Sequence, residues 1–291
     1  MKVTFAVLMI VLPLFSNGQH NRNKNKDSKA KGTLFGYWGY NRSAYTKSNI
    51  NFVGVDYDFT LDGVKASDNP SVITGSQYLK LSNLTVPQFN ARIGYYFKDH
   101  WAISFGYDHM KYVMDNENEV FLSGNLGPNA DPVTGWSGDY EAEPVVTNRN
   151  FFHYENSDGM NYLRLELTRT DHLAEFGSND QFVLSSNLGI AAGGILSFND
   201  FRFGGDYDMR TISMSGYGVS LHANLRAELL RHFFVQTGFS GGFMHQLRVK
   251  TRPNNSQTYA RHAFGYGDWN TVIGFLFYIR QKNGCDSCPV W

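Results

Sequence analysis

Tyr217-Gly-Val-Ser-Leu221-His-Ala-Asn-Leu225-Arg-Ala-Glu-Leu229 is the stretch that decides the fold. Tyr217, Val219, Leu221, Ala223, Leu225, Ala227 and Leu229 occupy one parity; Gly218, Ser220, His222, Asn224, Arg226 and Glu228 occupy the other. Successive side chains of a strand point to opposite faces, so this is a strand with one apolar and one polar face. A helix would instead place apolar residues three and four apart. The pattern recurs in 89–98, where Phe89, Ala91, Ile93, Tyr95 and Phe97 oppose Asn90, Arg92, Gly94, Tyr96 and Lys98. It recurs in 269–280, on Trp269, Thr271, Ile273, Phe275, Phe277 and Ile279. It also runs through 101–113, where His109 and Lys111 interrupt the far end of the row.

The spacing predicts eight strands, at about 32–41, 88–98, 101–114, 160–169, 181–196, 216–230, 233–248 and 268–280. Many reach the roughly 9–11 residues that a tilted membrane strand requires. Short connections at Asp99-His100 and Arg231-His232 and a moderate polar one at about 170–180 alternate with long ones at 42–87, 115–159, 197–215 and 249–267. An up-and-down barrel puts odd connections at one rim and even ones at the other, and outer-membrane barrels keep the short turns periplasmic. The expected fold is therefore all-β: an eight-stranded antiparallel up-and-down transmembrane β-barrel over 32–280 with long extracellular loops. A soluble barrel with apolar rows turned inward is the alternative. Aromatic residues near segment ends favour lipid outside: Phe97, Trp101, Phe233 and Phe277 at one rim, and Trp38, Tyr40, Tyr107, Tyr217 and Trp269 at the other.

Composition agrees. The 291 residues hold 26 basic and 26 acidic side chains, 15% aromatic and 18% charged residues. So aromatic a chain is not disordered, and without a basic surplus it is not an electrostatic nucleic-acid binder. Met1-Lys2, the apolar run Val3–Phe15 and Ser16-Asn17-Gly18 have the layout of a signal peptide over 1–18. Residues 19–31, with Arg22, Lys24, Lys26, Lys29 and Lys31, read as a basic flexible tether. A leader of this kind predicts export to a cell outer membrane.

The signal peptide, the alternating connections and the late strand Asn270-Thr-Val-Ile-Gly-Phe-Leu-Phe-Tyr-Ile279 resemble small outer-membrane β-barrel proteins of Gram-negative bacteria. The resemblance implies contact with outer-membrane lipid or lipopolysaccharide, insertion by the barrel-assembly machinery, and an envelope or surface protein as a further partner. Members of that group usually end on the last strand, whereas this chain runs on through Gln281 to Trp291. The assembly signal is then Phe277 or Trp291.

Polar positions supply the candidate sites. Arg92, Asp108, Arg164, Glu166, Arg226 and Glu228 fall on inward-facing parities. They form either a salt-bridged plug, the expected case, or the lining of a narrow channel. Phe152-His153-Tyr-Glu155-Asn-Ser157 holds a potential base, carboxylate and nucleophile in His153, Glu155 and Ser157; it resembles the His-x-Ser-Asn stretch of lipid A deacylases, which implies His153 as base and Ser157 as nucleophile. The spacing here is His-x-x-x-Ser, and residues four apart on a strand are about 13 Å apart. A structural or surface-interaction role without catalysis, with specificity in the loops, is expected ahead of an esterase or a channel. Asp56, Asp58, Asp62 and Asp68 are oxygen donors of the kind that hold calcium, but their spacing fits no EF-hand. No cofactor or metal is expected. Asn41-Arg-Ser43 and Asn83-Leu-Thr85 match the glycosylation sequon. Cys285 and Cys288 in the periplasmic tail 281–291 are expected to form a small disulfide loop; a mixed disulfide with a partner stays open.

Overall fold

The computed structural model describes residues 30–69, 87–177, 181–207 and 209–279. Residues 1–18, most of the tether, Asn83, Cys285, Cys288 and Trp291 lie outside the described residues. The strands are β1 Thr33–Tyr45, β2 Ser48–Val53, β3 Tyr57–Val64, β4 Ala66–Ser67, β5 Phe89–Lys98, β6 Trp101–Met114, β7 Glu119–Leu126, β8 Gly138–Val146, β9 His153–Phe176, β10 Phe182–Arg202, β11 Thr211–Leu229, β12 Phe233–Arg252 and β13 Asn255–Tyr278.

Eight of them form an antiparallel up-and-down ring in the order β1-β5-β6-β9-β10-β11-β12-β13, closed by β13 against β1 from Thr33↔Tyr278 to Tyr45↔Tyr266. One circuit of the pairing leads from Trp38 through Tyr107, Gly194 and His245 to Ala263. Ala263 lies three positions past the Tyr45–Tyr266 pair, so the pairing climbs about ten residues per turn, the stagger of a tilted, closed barrel.

The structure corrects the expected connections. The stretches 197–215 and 249–267 are mostly strand: β10 and β11 run on to Arg202 and from Thr211, and β12 turns into β13 at Pro253-Asn254. The stretches 42–87 and 115–159 contain β2, β3, β4, β7 and β8. β2 pairs with the upper part of β13, β3 with β2, β7 with β3, and β8 with β7. Above the ring there is therefore a folded crown, built from strand extensions and a four-stranded addition whose free edge is β8.

Barrel and crown have opposite polarity. On β9, Leu163, Leu165 and Leu167 face outward, and Arg164 and Glu166 are buried inside. Above Leu163 the apolar side changes: Met160, Tyr162 and Tyr154 are buried inside, while Glu155 and Ser157 lie outward. On β13 the outer row is Trp269, Ile273, Phe275 and Phe277, whereas higher up Ala260, Phe264 and Tyr266 are buried. The outer belt is exposed along its length: Leu165 59%, Leu221 66%, Phe239 68% and Ile273 64%. On β11 and β12 it climbs further, through Met214, Ile212 and Leu247.

The crown interior is one apolar core. Phe152 sits at its centre, with ring centroids 5.2 Å from Phe52, 5.6 Å from Phe201, 5.6 Å from Trp136 and 5.7 Å from Phe203. Ile50, Leu61, Leu122 and Val249 are fully buried beside them. This packing holds β2, β3 and β7 against the long strands, because a four-stranded addition with nothing behind it could not hide its apolar face.

Candidate functional site

The bore is ionic because the inward parity of the ring strands is polar where the outward parity is apolar. Arg92 on β5 donates to both oxygens of Asp108 on β6, at 2.7 and 3.0 Å, and its Nε donates to Glu166 on β9 at 3.2 Å. Arg164 lies 3.0 Å from Asp108 and 3.6 Å from Glu166. Asn90 donates to Asp108 at 2.7 Å, Thr168 to Glu166 at 2.8 Å, and Arg164 to Ser220 at 2.9 Å. Gly106 makes room for the first guanidinium: a Cβ there would stand 2.0 Å from Arg92 Nη1. Two cations and two anions thus neutralise one another out of water, as buried charges must.

The other two candidate bore charges stand apart. Arg226 lies lower, donating to Gln236 at 3.0 Å and to Tyr96 at 2.9 Å, with its guanidinium 4.2 Å above the Phe234 ring. Glu228 is half-buried nearer the short-turn rim and belongs to no described ion pair. Sequence reasoning missed Asn90, Thr168, Ser220 and His222, although they occupy the same polar rows. Beneath Arg226 the bore is closed by Phe35, Tyr96, Ala102, Phe234 and Leu276. Above the quartet it is closed by the crown core.

His153, Glu155 and Ser157 do come together, as alternate residues of one strand face. His153 Nε2 lies 2.8 Å from Glu155 Oε2, and Ser157 donates to Glu155 Oε1 at 2.8 Å. Arg149 donates to Oε2 at 2.9 Å. The carboxylate is the middle member. Acyl transfer by a serine needs the imidazole next to the hydroxyl so that it can take the proton, and no His153–Ser157 hydrogen bond exists among the described residues. Burial raises the Glu155 carboxyl, but hydrogen bonds from His153 and Ser157 and the charges of His153 and Arg149 outweigh it and hold it below its ordinary value. Such a carboxylate is a weak base. The group reads as a charge-pinned junction between 149–152 and β9.

The loop aspartates do not converge. Asp58 accepts from Asn51 at 2.9 Å, and Asp68 from the Ser43 backbone at 3.2 Å. No group of three or more His, Cys, Asp or Glu placed to hold a metal occurs among the described residues. Asn41 of the first sequon points into the bore and is buried.

The crown carries its own acid sensitivity. Burial pushes the His262 ring down to about 3, against about 6.5 in an unfolded chain. Between these values the unfolded chain takes up a proton that the folded crown refuses, so stability falls as pH drops below about 6.5. The stabilisation from ionised Glu155 is present above its unfolded value and is lost at lower pH, as the medium falls through its folded value. Protease susceptibility of the crown should therefore rise in two stages on acidification. His262→Gln should shrink the first stage, which the buried His109 ring, also pushed down by burial, shares, and Glu155→Gln should remove the second; unchanged profiles in both variants would contradict this assignment.

These features define an eight-stranded antiparallel barrel with an apolar exterior, an ionic bore and an apolar-cored crown. No family model matches the chain, and no curated protein matches it. Among solved structures it is similar to the outer membrane protein OprG from Pseudomonas aeruginosa, at 11% identity over 87% of this chain and 99% of that one, with a TM-score of 0.36. It is also similar to the N-terminal β-barrel domain of OprF from the same organism, at 9% identity over 85% and 98% with a TM-score of 0.32. Ail, the attachment invasion locus protein of Yersinia pestis, matches at 12% identity over 85% and 99%, with a TM-score of 0.31.

Proposed function

We propose that the ring spans an outer membrane, with the short turns in the periplasm and the crown outside, and that the protein is a non-enzymatic surface-interaction protein. The observation that carries this is the outward apolar belt around a bore filled by buried side chains, among them a self-neutral charge quartet. A soluble barrel would not leave Leu165, Leu221, Phe239 and Ile273 in water. At the upper edge of the belt, Trp38, Tyr40, Phe89 and Tyr107 touch in series, Trp38 to Tyr40 at 4.6 Å and Phe89 to Tyr107 at 5.5 Å, as in an interfacial girdle.

The crown is the presented surface. Segment 115–147 holds Asp115, Glu117, Glu119, Asp131, Asp139, Glu141 and Glu143 and no Lys, Arg or His. This favours a cationic envelope or surface protein as partner through charge complementarity. Exposed Arg248 and Arg261 lie above the girdle on β12 and β13, a position suited to lipopolysaccharide phosphates. The bore is plugged at both ends, and the serine lacks an adjacent imidazole, so nothing favours the channel or the esterase.

Leu165→Arg tests the membrane reading. Refolding into lipid bilayers should lose about 2–4 kcal/mol of stability, the cost of a cation near mid-bilayer, while Ser157→Arg in the crown should cost far less. Equal tolerance at both sites, with a product that stays monomeric without detergent, would defeat the proposal.

A further inference from the structure

The charge quartet leaves one buried acid of the bore without a counter-charge. Asp268 on β13 is 5% exposed, and no Lys, Arg or His forms an ion pair with it among the described residues. Its neighbours are neutral and distant: Ser240 Oγ donates at 3.2 Å, Asn270 Nδ2 at 3.3 Å and Ser43 Oγ at 3.5 Å. The other bore carboxylates, Asp108 and Glu166, each face two guanidinium groups. A second, independent feature lies at the same height. Asn41 is the ladder partner of Asn270, and its Oδ1 is buried without a hydrogen-bond donor. Gln88 precedes β5 on the parity of Asn90 and Arg92, is 1% exposed, and has neither Oε1 nor Nε2 bonded. Asn41 N–H donates to the Gln88 carbonyl at 3.3 Å, which fixes Gln88 beside β1. The climb of the pairing brings Gln88 on one side of β1 and Asp268 on the other to one level.

We propose that this level is a cation site, with Asp268 as the charged ligand and Asn41 Oδ1, Gln88 Oε1, Ser43 and Ser240 as neutral oxygen ligands. The charge sets the class of ion. The quartet is self-neutral, and Arg226, the other buried guanidinium, lies lower in the bore against Gln236, Tyr96 and Phe234, so at this level one carboxylate requires one positive charge: sodium balances it, whereas calcium would leave a buried excess. Because the bore is closed above by the crown core and below by the Phe35–Phe234 cluster, the ion enters during folding, and its binding appears as folding stability.

The test compares urea unfolding of the full chain in lipid bilayers in sodium chloride and in choline chloride at equal ionic strength. Sodium should raise the midpoint, with a dependence that saturates. Asp268→Asn should unfold at one midpoint in both salts. If that variant fails to fold, Gln88→Leu decides, because Gln88 side-chain atoms make no other bond among the described residues: its sodium response should shrink several-fold while its midpoint in choline does not fall. A wild-type midpoint identical in both salts, or a Gln88→Leu variant stabilised equally in both, would overturn the site and leave Asp268 a protonated carboxyl.

Discussion

Asp108→Leu should lower the unfolding free energy by about 3–5 kcal/mol, enough to prevent recovery of folded barrel from a marginally stable chain. Asp108 is the hinge of the ionic layer. It accepts two bonds from Arg92, faces Arg164 at 3.0 Å and accepts from Asn90. Replacing it leaves two guanidinium groups sharing Glu166 alone, with no water to solvate the excess charge. The penalty comes from breaking the set, not from the worth of the set as a whole. Exchanging all four of Arg92, Asp108, Arg164 and Glu166 for apolar residues of similar volume should cost little or even stabilise. Urea titrations in bilayers of the single, the quadruple and the wild type check both claims. A quadruple variant as damaged as the single one would show that these charges do more than cancel.

Phe152→Ala should cost about 3–5 kcal/mol, and the loss should be confined to the crown. Phe152 lies outside every strand, yet its ring meets Phe52, Phe59, Trp136, Phe201 and Phe203, which come from β2, β3, the β7–β8 connection, the far end of β10 and the position just past it. Removing it takes away the common contact of the addition and the long strands. On the proposed membrane reading, the belt draws its energy from lipid and from the ionic layer and should remain folded. Limited proteolysis should then cut the variant within 46–69 and 115–152 while the membrane-embedded strands survive, and heat-modifiable gel mobility should persist. Loss of the whole barrel in one transition would show that crown and ring fold as a single unit.

The ring was legible in the sequence because its rows hold one phase over the height of the belt. In 217–229 and 269–279 the apolar parity never changes, and the expected strands end within two residues of Leu229 and Tyr278, but they start β11 five and β13 thirteen residues late. The crown was not legible because the phase flips. On β9 the apolar parity passes from Leu163 to Tyr162, and a reading that follows one row stops there; hence a predicted 160–169 for a strand that runs from His153 to Phe176. The His109 and Lys111 interruption on β6 is the same flip: those two face outward above the belt while Met110, Tyr112 and Met114 enter the crown core. Of the candidate site, the quartet could be read from parity. The separation of Arg226 and Glu228 could not, because height along a tilted strand depends on partners that a single row does not reveal. The middle position of Glu155 was equally hidden, since alternation says which face a side chain takes but not which neighbour it bonds.

The flip on β9 also works as a ruler during assembly. A slip of that strand by two residues keeps every side chain on its proper face, so parity alone would not reject it. Here an upward slip would lift Arg164 to the height of Tyr162, among rings that cannot neutralise it, and put Glu166 in the place of a guanidinium; a downward slip would lower the Tyr162 ring into that place. A closing wall of uniform chemistry could settle one notch too high or too low; this one has a single notch at which both solvents and all four charges are satisfied.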